Sequence, residues 1–78
     1  MASPMTKQQY EAAVMALGGK TKAEREHPWE FAAIKRDYAP SLHGAAKQAV
    51  IASASFIESK ALARGVPRPP AIGGGGGR

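Results

Sequence analysis

Apolar residues recur at helical spacing near the start of the chain. One predicted buried stripe consists of Tyr10, Ala13, Val14 and Leu17, which have the i, i+3, i+4, i+7 spacing of a helix face. Thr6 precedes the stripe and Gln9 lies three residues later, which is the spacing of a capping box. Two glycines at 18–19 favour the left-handed backbone conformation that commonly ends a helix. This pattern predicts a first helix over residues 7–17.

The second helical pattern covers residues 22–38 and contains a proline. Thr21 and Glu24 have the spacing of another capping box, while His27 is disfavoured in helical conformation because Pro28 follows it. Two interpretations stay open: a short turn at 22–26 followed by a separate helix with Pro28 at its first position, or one kinked helix. Either way, one face carries Phe31, Ile34 and Tyr38.

The third pattern is the longest, over residues 42–64, with Ser41 as the predicted N-cap and Gly65 as the stop. It holds two overlapping stripes. The first stripe is Leu42, Ala45, Ala49, Ala52, Phe56 and Ala63. The second stripe is Ala46, Val50, Ser53, Ile57 and Ala61. Small side chains let another helix approach closely but bury little apolar area, so we expect a bundle that is marginally stable alone.

The composition changes after Gly65. Residues 66–72 are rich in proline, which favours an extended conformation, and five glycines at 73–77 favour a flexible coil before Arg78. A base followed by spaced prolines also has the form of a ligand for proline-binding grooves, although a stiff spacer or arm explains it as well. The predicted organisation is an all-α domain of three helices over residues 1–65, the second broken near Pro28, and an extended C-terminal arm over residues 66–78.

The apolar composition limits the core that this domain can build. The chain has 16 alanines but only 12 leucines, isoleucines, valines and phenylalanines in 78 residues. Small domains usually add disulfides, a metal or a partner for stability. There is no cysteine, and His27 and His43 lack the carboxylate cluster that a metal site would need. We therefore predict a partner, no metal or cofactor, and no enzymatic activity, because so few large side chains cannot wall a catalytic pocket.

Charge is divided unevenly along the chain. Residues 1–40 hold six bases and five acids, whereas residues 41–78 hold five bases and only Glu58, so most of the net charge of +5 lies in the second half. Such an asymmetry suits an acidic protein surface or a nucleic-acid backbone. The first residues do not read as a cleavable secretion signal, and the longest apolar run, 49–57, is too short to span a bilayer. We predict a location inside the cell or within a virion.

These features favour a structural or assembly subunit that docks on a larger protein complex through its third helix and its arm. A bacteriophage virion, with its head and connector, is one complex of this kind. The helical spacing of Trp29, Phe31, Tyr38 and Tyr10 predicts a core that joins the first two helices. Alternatively, Trp29 is an anchor in a partner's pocket, because interface hot spots favour Trp, Tyr and Arg. The predicted partner-binding residues are Trp29, Phe56, Lys60, Arg64, Pro67, Arg68, Pro69, Pro70 and Arg78.

Two other functions are compatible with the same residues. A small basic nucleic-acid-binding protein would use the five bases of the second half, which are Lys47, Lys60, Arg64, Arg68 and Arg78. A regulatory adaptor would bind one signalling partner through the proline arm. In the assembly hypothesis, deletion of residues 66–78 should leave the helices intact and abolish attachment.

Overall fold

The computed structural model describes residues 4–69. These residues are mostly helical and contain no strand, which confirms the all-α prediction. In chain order the elements are α1 (Lys7–Ala16), α2 (Lys20–Glu26), α3 (Pro28–Tyr38), a 3-10 turn (Ala39–Ser41) and α4 (Gly44–Ala63). Two predicted partner-binding residues, Pro70 and Arg78, lie outside the described residues, as does most of the predicted arm.

The two ends of α1 follow the local signals in the sequence. The Thr6 hydroxyl accepts a hydrogen bond from the Gln9 N–H at 3.1 Å, and the Gln9 side-chain carbonyl accepts one from the Thr6 N–H at 2.9 Å. These two bonds complete the predicted capping box. At the other end, Gly18 and Gly19 adopt positive φ angles and their N–H groups bond to the last carbonyls of α1. That arrangement is a Schellman motif, which only glycines accommodate without strain.

The middle of the chain forms two helices, α2 and α3, so residues 4–69 contain four α-helices rather than the three predicted. The break lies at His27, whose φ of −132° and ψ of 51° are not helical, and Pro28 occupies the first turn of α3. Of the two interpretations left open, the separate helix is the correct one. The cap predicted at Thr21 is wrong, because α2 already begins at Lys20, after Gly19, and has no side-chain cap.

The connection from α3 to α4 also differs from the prediction. Pro40 lies in a 3-10 turn, and α4 begins only at Gly44, with the extended residue His43 in the N-cap position. Ser41 is therefore not the N-cap of this helix. Its hydroxyl instead donates a hydrogen bond to the Met5 carbonyl, which ties this connection to the residues that precede α1.

The core is formed by small residues around a few large ones. Its buried members are Val14, Ala23, Phe31, Ala32, Ala54 and Ile57. The most extensive contact in the bundle is between α3 and α4. Of the two stripes predicted on α4, the second faces this core, since Ile57 and Ala61 are buried and Val50 is half-buried.

Polar and aromatic contacts add to this packing. The Arg36 guanidinium on α3 pairs with Glu58 on α4 at 2.6 Å and donates to the Ser55 hydroxyl at 3.2 Å. The hydrogen bond to Glu58 raises the pKa of the Arg36 guanidinium above its ordinary value. Tyr10 on α1 stacks on Tyr38 at the end of α3, with ring centroids 4.5 Å apart. These contacts link both α1 and α4 to α3.

Two substitutions on α4 should separate the core side of this helix from its solvent side. Ile57→Ala removes a buried side chain and should lower the free energy of unfolding by about 2 to 5 kcal/mol. Leu62→Ala changes an exposed side chain and should shift it by about 0.5 kcal/mol or less. Thermal unfolding, monitored by circular dichroism, measures the change in stability of each variant. Equal losses would show that α4 is not packed through Ile57.

Candidate docking surface

The side of α4 that faces away from the core carries no charged residue. We call the exposed residues on this side the outer face: Ala45, Gln48, Ala49, Ala52, Ser55, Phe56, Ser59, Leu62 and Ala63. Lys60 lies at its edge. The first stripe that the sequence predicts on this helix therefore points to solvent from Ala45 onward, and only the second stripe meets the core.

Two large apolar side chains stand on the outer face. Phe56 is 61 % exposed and Leu62 is 67 % exposed. They are six residues apart, which places them about 120° apart around the helix, so alanines and serines fill the strip between them. The first residues of α4, 44–49, are exposed on every side. Among the described residues, the Arg36 guanidinium reaches Ser55 at one edge of the outer face, and the rest of this face is exposed.

A surface helix normally has an apolar side and a charged side. In α4 the two sides are almost equally apolar, and a helix of that kind is usually buried in a larger structure. Within residues 4–69, no helix has both the length and the apolar character needed to cross a membrane. The outer face lacks the charged residues that the solvent side of a surface helix usually carries.

The end of α4 is fastened to α2 by two of the predicted partner-binding bases. The Lys60 ammonium pairs with Glu24 at 3.3 Å. The Arg64 guanidinium donates to the Arg25 carbonyl at 2.5 Å. That carbonyl lies in the last turn of α2, where helix carbonyls lack partners within their own helix. In this conformation both bases contact α2.

The first residues of the predicted arm fold back on the helices. Gly65, with a φ of 74°, ends α4 in a second Schellman motif, in which the Gly65 and Val66 N–H groups bond to carbonyls of the last turn. The chain thereby returns to Trp29. The Trp29 indole N–H donates to the Val66 carbonyl at 3.1 Å, and the Arg68 guanidinium stacks 4.4 Å from the centre of the indole ring. We call these two contacts the arm clamp.

The structure places the predicted partner-binding residues in three groups. Lys60, Arg64 and Arg68 bond to other parts of the chain, and Trp29, which is 7 % exposed, presents little surface to a partner. Phe56, Pro67 and Pro69 are exposed. Pro70 and Arg78 lie outside the described range. The sequence reasoning missed Leu62, although a helical projection of residues 44–63 would have revealed the uncharged side on which it lies.

Other kinds of site find little support in the described part of the chain. Among residues 4–69, no three histidine, aspartate or glutamate side chains lie close enough together to hold a metal ion. Comparisons of the chain with models of protein families, with curated proteins and with solved structures found no match.

The arm clamp can be tested with two truncations, because Trp29 is the only tryptophan. Removal of residues 66–78 takes away both Val66 and Arg68, so the indole should become exposed and its fluorescence emission should shift to longer wavelength. Removal of residues 70–78 leaves the clamp and should not shift the emission. Helicity, measured by circular dichroism, should be kept in both. An identical emission spectrum for the two truncations would contradict the clamp.

Proposed function

We propose that this chain is a non-enzymatic docking subunit of a larger protein assembly, and that the outer face of α4 is the surface through which it binds. The observation that carries the proposal is the uncharged outer face with Phe56 and Leu62 exposed on it. Binding would bury this face and leave α4 in the middle of a larger core. A virion head or connector remains one candidate for the assembly.

The thin core supports the same proposal. The buried cluster contains three alanines and only three larger residues, Val14, Phe31 and Ile57. Small domains of this kind commonly gain stability from association. Because the partner would cover the helix that supplies Ile57 to the core, docking and folding would stabilise each other.

Nucleic-acid binding is less well supported by the positions of the bases. Three of the five bases in the second half, Lys60, Arg64 and Arg68, already contact a carboxylate, a carbonyl or an aromatic ring in this chain. The outer face itself offers no charge to a phosphate backbone. Binding through all five bases would weaken steeply with salt. The logarithm of the binding constant would fall with the logarithm of the salt concentration at a slope of about −4.5.

A pair of matched substitutions tests the docking proposal. Ala52→Lys puts a charge at the centre of the outer face, and Ala12→Lys makes the same change at an exposed position of α1. Tagged versions of both variants and of the unaltered chain are expressed in source cells. Their co-sedimentation with large particles is then compared after gradient centrifugation of the extract. Ala52→Lys should reduce co-sedimentation by about tenfold, since burying an unpaired charge is strongly unfavourable.

Ala12→Lys should leave co-sedimentation unchanged, and circular dichroism should show that both variants keep their helices. Equal binding by the two variants would contradict a docking role for the outer face. Loss of co-sedimentation after nuclease treatment would favour nucleic acid as the partner. A dimer of the isolated chain that Ala52→Lys dissociates would show that a second copy covers the face.

A further inference from the structure

A groove runs beside the outer face, where α2, α3 and α4 meet. Its lining includes Phe31, Phe56 and Ile57, with Lys20, Glu24 and Lys35 at its rim. The volume of the groove is about 260 Å³. Pockets for whole small molecules usually have about 300 to 1,000 Å³, so this groove is suited to one or two side chains.

The rim of the groove is positively charged. Glu24, its only acid, is already paired with Lys60 at 3.3 Å. Lys35 lies 4.6 Å from the centre of the Phe31 ring and donates to the Tyr10 hydroxyl at 3.1 Å. Within residues 4–69, no carboxylate lies within 4 Å of the ammonium of Lys20 or Lys35. Lys20 and Lys35 therefore border the groove without a carboxylate partner, and Phe56 is the exposed apolar side chain of its wall.

We propose that the groove binds an acidic segment of the docking partner, in which an apolar side chain enters the groove and neighbouring carboxylates contact Lys20 and Lys35. This proposal rests on the proposed docking function and specifies the chemistry of the partner. Charge complementarity supports it, since neither lysine has a carboxylate within 4 Å, although Lys35 also contacts Tyr10 and Phe31. Phe56 belongs to both the groove and the outer face, so one partner helix lying along α4 reaches both.

The small number of bases in the lining favours an acidic peptide over a nucleic acid. A nucleic-acid backbone is bound by a row of bases along its path. Here Lys20 and Lys35 are the only bases in the lining, and Phe56 is its only exposed aromatic residue, since Phe31 is buried. A leucine or similar side chain fills such a space, and carboxylates at i and i+4 positions of a partner helix flank it.

The probe for this site is a fluorescently labelled synthetic peptide of about 14 residues with leucines at i, i+3, i+4 and i+7 and glutamates beside them. One control peptide has glutamine in place of each glutamate, and an oligothymidylate of similar charge represents nucleic acid. Fluorescence anisotropy with the full chain measures affinity at about 50 and 200 mM salt. The acidic peptide should bind at least about fivefold more tightly than the glutamine peptide and lose affinity with salt.

The chain offers closely matched variants for the protein side. Lys20 is the first residue of α2 and Lys7 is the first residue of α1, and both are exposed. Lys20→Ala should weaken binding of the acidic peptide about threefold, while Lys7→Ala should have no effect. Phe56→Ala should weaken it about tenfold, because this side chain walls the groove. Amide shifts in nuclear magnetic resonance spectra should map the peptide to residues near Lys20 and Phe56.

Several results would overturn the groove proposal. They are equal binding of the acidic and glutamine peptides, equal effects of Lys20→Ala and Lys7→Ala, tighter binding of the oligothymidylate, or no binding of the acidic peptide at about 1 mM. None of them depends on the co-sedimentation of Ala52→Lys. If Ala52→Lys still blocks co-sedimentation, the outer face remains the docking surface and only the groove is excluded.

Discussion

The packing of α3 against α4 holds this bundle together, and the other elements are arranged around it. Phe31 and Ile57 are the largest core residues at this contact, and Ala32 and Ala54 let the two helices approach closely. The ion pair of Arg36 with Glu58 adds a polar link at the rim. Because α4 has 20 residues but contributes only one side to the core, the same helix that stabilises the fold also leaves a long apolar side exposed.

Local signals in the sequence predicted those helix ends that depend on neighbouring residues alone. The capping box at Thr6 formed because every partner lies within three residues. Ser41 and Thr21 failed as caps for different reasons. The Ser41 hydroxyl bonds to Met5, 36 residues away. Thr21 lies inside α2, because the N-cap of that helix is Gly19. Propensity and spacing contain no information about such competing partners, whereas the break at Pro28 follows from the geometry of proline itself.

The candidate site was predicted only in part. Both stripes on α4 are visible in the sequence, but which of them is buried depends on where α3 packs, so periodicity alone left the choice open. The partner-binding role of the bases in the second half stays a prediction. In the described conformation, Arg64 contacts α2 and Arg68 contacts Trp29, across 39 residues in each case. These long-range contacts form because the chain turns back at Gly65. The residues next to Gly65 do not determine the direction of that turn.

The small side chains of the outer face suit a helix that is exposed in the isolated chain and covered in the proposed assembly. Alanine has the highest helix propensity, so residues 44–49 stay helical although they are exposed on every side. It also loses no side-chain entropy when it is covered. Phe56 and Leu62 supply most of the apolar area, and burial of each contributes about 1.5 to 3 kcal/mol. In the proposed docking, the alanines would permit near approach, while the two large residues would provide the gain in free energy.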